Sequence, residues 1–433
     1  MQIIKHCFKY ILTFFIIVIL LLCMLVLSAV IPRSSIKENV YESAIYLCEG
    51  ELFGEVIEDV KGSKIDRYAD SILLAIAYQY DSEQPLTSVM WSSYYYTEYQ
   101  NENENLLDAV TNNYDANQQY VRYWHGSNAI VRPLLTFLNL KQIYILNGII
   151  LGLLTICLLL ILMRQKAYIP AMGVLAGLVG ISFWFVPFSL EYTWTFILML
   201  LVSIIGVQFA LKSDFTKISI LLLISGMVTN FLDFLTTETL TLTVPLLLIL
   251  WVQQNQHRHE NRQASIGITI KAIVAWGVGY VGMWVMKWLI ASVVLSENVM
   301  PYVSEHIGER LGGDLGIGFL QYIFGAIWNN IKCLFPFEYG MIGALIGSVL
   351  VLLVLYIGYV YRGKKIDRKC VLLYALIGLI PYIRYVVLHN HSYLHCFFTY
   401  RAQMATILAI VLILEQLTDG RYPIHANRRN SKV

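Results

Sequence analysis

The sequence predicts an all-α polytopic protein that crosses a membrane about ten times. Hydrophobic residues make up 57% of its 433 residues and charged residues only 14%, whereas soluble domains carry about 25% charged residues. The apolar residues gather in runs of about 20, the length that a helix needs to cross a bilayer core of about 30 Å. Lysine and arginine recur in every second connection between these runs, as expected if those connections face the cytoplasm.

The ten predicted spans lie near 10–31, 142–163, 168–187, 192–211, 218–234, 238–254, 270–294, 340–361, 370–387 and 395–415. The first run follows Lys5 and Lys9 and is too long for a cleaved signal peptide, so we predict a retained anchor. Each connection predicted to lie inside is basic, and both termini are placed on that side. The basic residues of the inner connections are Arg164, Lys166, Lys212, Lys217, Arg258, Arg262, Arg362, Lys364, Lys365, Arg368 and Lys369, and those of the inner tail are Arg421, Arg428, Arg429 and Lys432.

The composition excludes several classes of function. The low charge content excludes a soluble enzyme, and the abundance of large apolar residues excludes intrinsic disorder. The 31 basic and 29 acidic residues nearly balance, which argues against a nucleic-acid partner. The 7 cysteines have neither metal-site nor disulfide-framework spacing. The predicted class is a multi-pass protein of the plasma membrane, with the lipid bilayer as its first partner.

The predicted spans divide the chain into six segments. These are an N-terminal anchor (1–31), a large outer loop (32–141), spans two to seven (142–295), a second outer loop (296–339), spans eight to ten (340–416) and a basic inner tail (417–433). The large loop is acidic and rich in tyrosine, and its stretch 71–80 has the pattern of a short helix that packs on a surface. The apolar stretch 319–334 is predicted to be an interfacial helix, because counting it as a span would invert the charge pattern downstream.

An acidic motif in the large loop is the first candidate site. Asp66 and Asp70 are four residues apart, which puts both carboxylates on one face of a helix. Two such carboxylates can share a divalent cation such as Mg²⁺ or Mn²⁺, or one can keep a raised pKa and act as a base. The structural alternative is that Asp70 is a helix cap or first-turn acid while Asp66 is a solvated loop charge.

Two clusters of basic and imidazole groups lie where the chain meets the membrane. Arg122, His125 and Arg132 stand among aromatic residues just before the second span. This arrangement suits a phosphate headgroup and a sugar face. An aromatic belt with snorkelling arginines is the alternative.

The second cluster spans the exit of the ninth span and the entry of the tenth. Its members are Arg384, His389, His391, His395 and Arg401. Arg401 is predicted to lie about 9 Å inside the tenth span, a depth at which a charge needs a partner or a water-filled cavity. The cluster therefore predicts a site for phosphate or pyrophosphate rather than for a metal.

Three further acids lie near predicted outer ends of spans. They are Glu191, Asp233 and Glu238. We expect them to be ordinary loop charges, with pairing of Glu191 and Glu238 to the arginines above as the alternative.

The layout of a first span, a large outer loop with an acidic motif, and many further spans resembles the GT-C superfamily of integral membrane glycosyltransferases. The resemblance implies a sugar donor linked to a polyprenyl phosphate, a catalytic acid in the first outer loop, and basic residues that hold the lipid phosphate. It places Asp66 and Asp70 in the acidic motif, with Glu49, Glu51 and Glu55 as lesser alternatives. The candidates for phosphate binding are then Arg122, Arg132, Arg384 and Arg401.

Three phrases carry a second resemblance. RYWHG (122–126), RPLL (132–135) and HNHSYLHCFFTYR (389–401) look like phrases in uncharacterised multi-spanning proteins of Gram-positive bacteria. This resemblance covers most of the chain and implies no assigned activity.

The leading expectation is a transferase that moves a sugar from a polyprenyl-phosphate-linked donor to a saccharide or cell-envelope acceptor on the outer face. Asp66 would be the general base, Asp70 would support it, and the Arg and His groups would stabilise the lipid phosphate that leaves. A transporter or flippase of lipid-linked saccharides, or a polysaccharide polymerase, is the alternative. A structural membrane subunit without chemistry is less favoured, because of Arg401 and the histidines.

Overall fold

The computed structural model describes residues 2–256, 263–312, 318–335, 341–360 and 366–418. This part of the chain is built from α-helices and short 3-10 turns, and it contains no strand beyond two isolated β-bridges. The all-α class predicted from sequence is therefore confirmed. The predicted inner residues Arg258, Arg262, Arg362, Lys364 and Lys365 and the tail beyond 418 lie outside the described residues.

Ten helices form the first half of the chain. They are α1 (Gln2–Ala29), α2 (Arg33–Cys48), α3 (Arg67–Gln79), α4 (Pro85–Trp91), α5 (Glu102–Asn112), α6 (Asn128–Leu134), α7 (Leu140–Arg164), α8 (Tyr168–Gly180), α9 (Thr193–Leu211) and α10 (Phe215–Leu232).

Ten more follow among the described residues of the second half. They are α11 (Leu240–Gln256), α12 (Gln263–Leu295), α13 (Met300–Gly312), α14 (Phe319–Leu334), α15 (Met341–Val360), α16 (Arg368–Gly378), α17 (Ile380–Val387), α18 (His389–Leu394), α19 (Cys396–Thr399) and α20 (Met404–Thr418).

Eight helical segments of the described chain are long and apolar enough to cross a membrane. They are Phe8–Ala29, Leu140–Arg164, Thr193–Leu211, Phe215–Leu232, Ile266–Leu295, Ile342–Val360, Arg368–Val387 and Cys396–Thr418. These segments indicate a multi-pass helical membrane protein. The number of ten spans and their orientation stay predictions.

The other two predicted spans are shorter apolar helices, and local sequence explains both. Helix α8 ends at Gly180, because Ser182 adopts a left-handed conformation (φ 52°) and a 3-10 segment with Pro187 follows. Helix α11 begins only at Leu240, after a turn that occupies 233–239. Each loses residues that the hydropathy pattern alone assigned to a span.

The region between α1 and α7 folds against the spans instead of extending away from them. Its helices α2 to α6 contribute to one apolar core with residues of α1, α7, α10 and α12. Every residue of α3 from Asp70 to Gln79 is buried, so the predicted packing of 71–80 on a surface is confirmed. The indole of Trp124 donates to the carbonyl of Met283 on α12 at 2.9 Å.

Helix α14 covers the stretch that the sequence predicts as an interfacial helix. One face is buried, with Tyr322, Ala326, Asn330 and Cys333 recurring every three or four residues. The other face exposes Phe319, Leu320 and Phe324. The helix is thus amphipathic, and its position relative to a membrane stays a prediction.

Close packing of α10 on α12 depends on glycine. A Cβ on Gly279 would lie 2.3 Å from the carbonyl oxygen of Leu223, and a Cβ on Gly226 would lie 2.1 Å from that of Trp276. Small residues let helix backbones approach in this way where no hydrophobic effect drives helices together.

We expect Gly279→Ala to destabilise the protein by about 1–3 kcal/mol, because the new methyl group meets backbone atoms that cannot move aside. Gly277→Ala, two residues away on the same helix, is the matched control, since a Cβ there meets nothing within 4 Å. The measurement is thermal unfolding of purified protein in detergent, followed by helical circular dichroism. Equal midpoints for the two variants would contradict the close contact.

Candidate active-site cleft

A cleft lies where the region between α1 and α7 meets the ends of α9, α10 and the segment α18–α19. It encloses about 560 Å³ of space between atoms, including its open mouth. Its lining residues are Asp66, Tyr68, Ala69, Ile72, Leu73, Tyr120, Tyr123, His125, Glu191, Phe234, His391, His395 and Phe398. Acidic, imidazole and aromatic side chains from five separate stretches of sequence therefore share one cavity.

Asp66 is the acidic centre of the cleft. It is the N-cap of α3, where its Oδ1 accepts a hydrogen bond from the backbone N–H of Ala69 at 2.9 Å. Only 2% of the residue is exposed, so the alternative of a solvated loop charge is wrong. Burial raises the pKa of Asp66 to about 7.

Glu191 is the partner of Asp66, and their side chains are hydrogen-bonded to each other. Two carboxyl groups can share a hydrogen bond only when one of them carries a proton. The cleft thus contains a carboxyl–carboxylate pair. The sequence gives no signal for this pairing, because Glu191 stands alone between two spans, far along the chain from Asp66.

Asp70 does not line the cleft and lies fully buried behind it. Its Oδ1 accepts from the backbone N–H of Leu190 at 2.8 Å, and its Oδ2 accepts from the hydroxyl of Tyr144. Burial raises its pKa well above the ordinary value. Because Leu190 precedes Glu191, Asp70 fixes the backbone that brings Glu191 to Asp66.

Three of the predicted histidines line the cleft. His391 and His395 lie side by side with ring centroids 4.8 Å apart, and His395 stacks on Phe398 at 5.4 Å. The Nε2 atom of His125 lies 3.1 Å from the carbonyl oxygen of Tyr120, and burial lowers the pKa of His125 to about 3. His125 is therefore neutral at physiological pH. His389 lies outside the lining, with its ring against Tyr322 at 4.9 Å.

The predicted arginines stand behind the cleft wall and bond to the protein itself. Arg122 donates to the Tyr120 hydroxyl at 2.8 Å and lies over the rings of Tyr120 and Tyr123. Arg132 donates to the carbonyls of Ile31 at 2.7 Å and Tyr80 at 3.1 Å.

Arg401 and Arg384 are held in the same manner. Arg401 donates to the carbonyls of Phe397 at 3.1 Å and Gly62 at 2.9 Å. Arg384 forms a buried ion pair with Glu238, with 2.9 Å from Nε to Oε1. The pairing of Glu238 with an arginine, the less favoured alternative from sequence, is confirmed.

The predicted divalent cation at Asp66 and Asp70 stays a prediction. Asp70 is engaged by Tyr144 and Leu190, and Asp66 by Ala69 and Glu191. Within the part of the chain that the structure describes, no group of three or more His, Cys, Asp or Glu side chains is arranged to hold a metal ion.

Comparison of the chain with protein-family models, curated proteins and solved structures gives no match. The resemblance to the GT-C superfamily stays a prediction from the layout of the chain.

We expect Asp70→Ala to destabilise the protein by about 2–4 kcal/mol, since it leaves the buried Tyr144 hydroxyl and the Leu190 N–H without their acceptor. Asp108→Ala is the control, because this partly exposed acid of α5 accepts only a side-chain bond from Gln100. Thermal unfolding in detergent measures both. Equal losses would show that Asp70 does not hold the cleft backbone.

The Asp66–Glu191 pair also predicts a pH dependence of stability. The pKa of Asp66 is about 7 in the folded protein against an ordinary value of 3.8, so from about pH 4 to 7 the folded state keeps a proton that the unfolded chain releases. The contribution of this group to stability therefore falls as pH rises through this window, by at most about 1.4 kcal/mol per pH unit.

Asp66→Asn keeps a capping oxygen but cannot titrate. The unfolding temperature of this variant should therefore fall less than that of the wild type between about pH 5 and about pH 7, a range that lies inside the window. Asp115→Asn, at a side chain 95% exposed, should keep the wild-type slope. Identical slopes for all three proteins would contradict the shared proton.

Proposed function

We propose that the protein is an integral membrane glycosyltransferase that moves a sugar from a polyprenyl-phosphate-linked donor to an acceptor hydroxyl at the outer face of the plasma membrane. The observation that carries this proposal is the hydrogen-bonded pair of Asp66 and Glu191 in one cleft with His391 and His395. An acid such as Asp66, with a pKa of about 7, can serve as a general base, and N–H groups of imidazoles can stabilise the negative charge on a departing phosphate.

Asp66 is assigned as the general base. A base works best when its pKa lies near the operating pH, and burial raises the pKa of Asp66 to about 7. In the ionised pair, Asp66 accepts the proton of the acceptor hydroxyl as the hydroxyl oxygen attacks the anomeric carbon of the sugar. Glu191 has a supporting role, because the proton in its hydrogen bond to Asp66 determines the net charge of the two carboxyl groups.

The two histidines are assigned to the leaving group. The bond from the anomeric carbon to the phosphate oxygen breaks as the new glycosidic bond forms, and the lipid phosphate keeps the electron pair. Imidazole N–H groups fixed in the cleft stabilise the negative charge that develops on this oxygen. His395 is held for this role by its stacking on Phe398.

Aromatic rings give the cleft a surface for a sugar. Tyr68, Tyr120, Tyr123 and Phe234 line it together with the charged groups, and ring faces of this kind bury apolar sugar faces while hydroxyl groups bond to nearby polar atoms. Arg122 holds two of these rings in place by lying over Tyr120 at 4.4 Å and Tyr123 at 5.3 Å. Arg122 thus supports the aromatic surface and does not contact the phosphate itself.

The test uses the full-length protein in liposomes with four radiolabelled donors, polyprenyl-phosphate-linked glucose, galactose, mannose and N-acetylglucosamine. A cell-envelope fraction supplies the acceptor, and loss of label from the lipid is measured. We expect Asp66→Asn to lower the rate with the active donor by about 10²–10⁴-fold, the usual contribution of a general base. The control Asp115→Asn should keep the wild-type rate.

The same liposomes separate this function from its alternatives. Translocation of an intact labelled donor, unchanged in Asp66→Asn, would identify a transporter or flippase and overturn the transferase. Transfer that persists at the wild-type rate in Asp66→Asn would overturn the assignment of the base. Products that grow by repeated addition would identify a polymerase.

A further inference from the structure

Arg384 stands directly behind His391, and the direction of the hydrogen bond between them is fixed by chemistry. Its Nη2 atom lies 3.4 Å from Nδ1 of His391. A guanidinium group has five N–H donors, no acceptor, and keeps its charge in proteins. Nδ1 of His391 must therefore be the acceptor and carries no proton, which leaves Nε2 as the protonated nitrogen.

The guanidinium group cannot turn away from this position, because it is held on every side. Its Nε donates to Glu238 at 2.9 Å and its Nη1 donates to the hydroxyl of Ser392 at 2.9 Å. Its Nη2 also donates to the carbonyl of Leu235. The planar fork of arginine makes such a set of bonds geometrically specific.

The turn that supplies two of these acceptors is itself held under strain. Leu235 has a φ of 66°, a left-handed conformation that is rare for a bulky side chain and persists only when the surroundings impose it. Asp233 imposes it, since its carboxylate accepts from the hydroxyl of Thr195 at 3.0 Å and from the backbone N–H of Thr236 at 3.0 Å. Backbone strain of this kind clusters at functional sites.

A charged His391 is also unfavourable in this place. A second proton on its ring would point at the positive guanidinium of Arg384, and like charges at hydrogen-bond distance repel strongly in a buried site. The fixed charge of Arg384 therefore favours a neutral imidazole over an imidazolium at His391.

We propose that Arg384, oriented by Glu238, is a positioning residue that holds His391 as the neutral tautomer with the proton on Nε2. The inference rests on the proposed function for its use, because an Nε2–H donor is what the leaving phosphate oxygen of the sugar donor needs. Arg384 then acts on the phosphate through His391 and not by direct contact.

The test is nitrogen-15 NMR of the full-length protein in detergent, labelled at histidine and measured at a pH near neutrality without any donor. Protonated and unprotonated ring nitrogens give well-separated resonances. His391→Asn identifies the signals of His391 by their loss. We expect an unprotonated Nδ1 and a protonated Nε2 in the wild type.

The double variant Arg384→Met with Glu238→Leu removes the donor without leaving an unpaired buried charge. Proteins usually tolerate the replacement of both members of a buried ion pair by apolar residues. We expect the fraction of His391 that is protonated at Nδ1 to rise at least threefold, a shift of about 0.7 kcal/mol or more. Arg368→Gln is the control for loss of an arginine elsewhere, because this exposed arginine begins α16. It should leave the signals of His391 unchanged.

Two results would overturn the inference. One is a wild-type His391 that is protonated at Nδ1, either as the other tautomer or as the imidazolium. The other is a folded double variant whose His391 signals match those of the wild type. The NMR experiment contains no sugar donor, so its result does not depend on the transfer assay. If the assay detects no transfer but NMR shows the proton of His391 on Nε2, the proposed function fails and this inference stands.

Discussion

The hydrogen bonds of Asp70 are the constraint on which the cleft depends. This carboxylate joins three segments that are distant in sequence: α3, which bears it, α7 through Tyr144, and the chain before α9 through Leu190. Asp66 stands four residues before Asp70, at the N-cap of α3, and Glu191 directly follows Leu190. A single buried acid thus sets the separation of two others, and the cost of its burial is offset by the bonds that it accepts.

The arginines follow a related principle, because most of them satisfy backbone carbonyls where water is scarce. Arg132 closes the junction of α1 with the following region through Ile31 and Tyr80, and Arg401 ties Gly62 to the start of the last span. A buried carbonyl without a donor costs free energy, most of all near lipid. An arginine with five donors can satisfy several such groups at a place where no helix or sheet is available to do so.

Much of the fold was predictable from sequence, since hydropathy and periodicity are local signals. The all-α class, the packing of 71–80 and the helix at 319–334 all follow from them. The ends of α8 and α11 did not follow, because the left-handed Ser182 and the turn at 233–239 are set by local backbone geometry that hydropathy does not record.

The site was predictable only in part, since its contacts join distant residues. The sequence clusters selected Asp66, His125, His391 and His395, which line one cleft. Spacing also paired Asp66 with Asp70, whereas its hydrogen-bonded partner is Glu191. The charge of an arginine likewise cannot show whether it meets a ligand or a carbonyl of its own chain, and Arg384 and Arg401 meet their own chain.

The apolar core shared by α2 to α6 with α1, α7, α10 and α12 has a consequence for how the protein can be handled and how it evolves. The region between the first two long apolar helices has no interior of its own, because buried residues such as Leu74 and Val131 pack in the same cluster as Leu25 and Met283. An excised fragment would expose that surface and aggregate. Unlike a tethered ectodomain, this region can be neither swapped between proteins nor lost without the helices on which it rests.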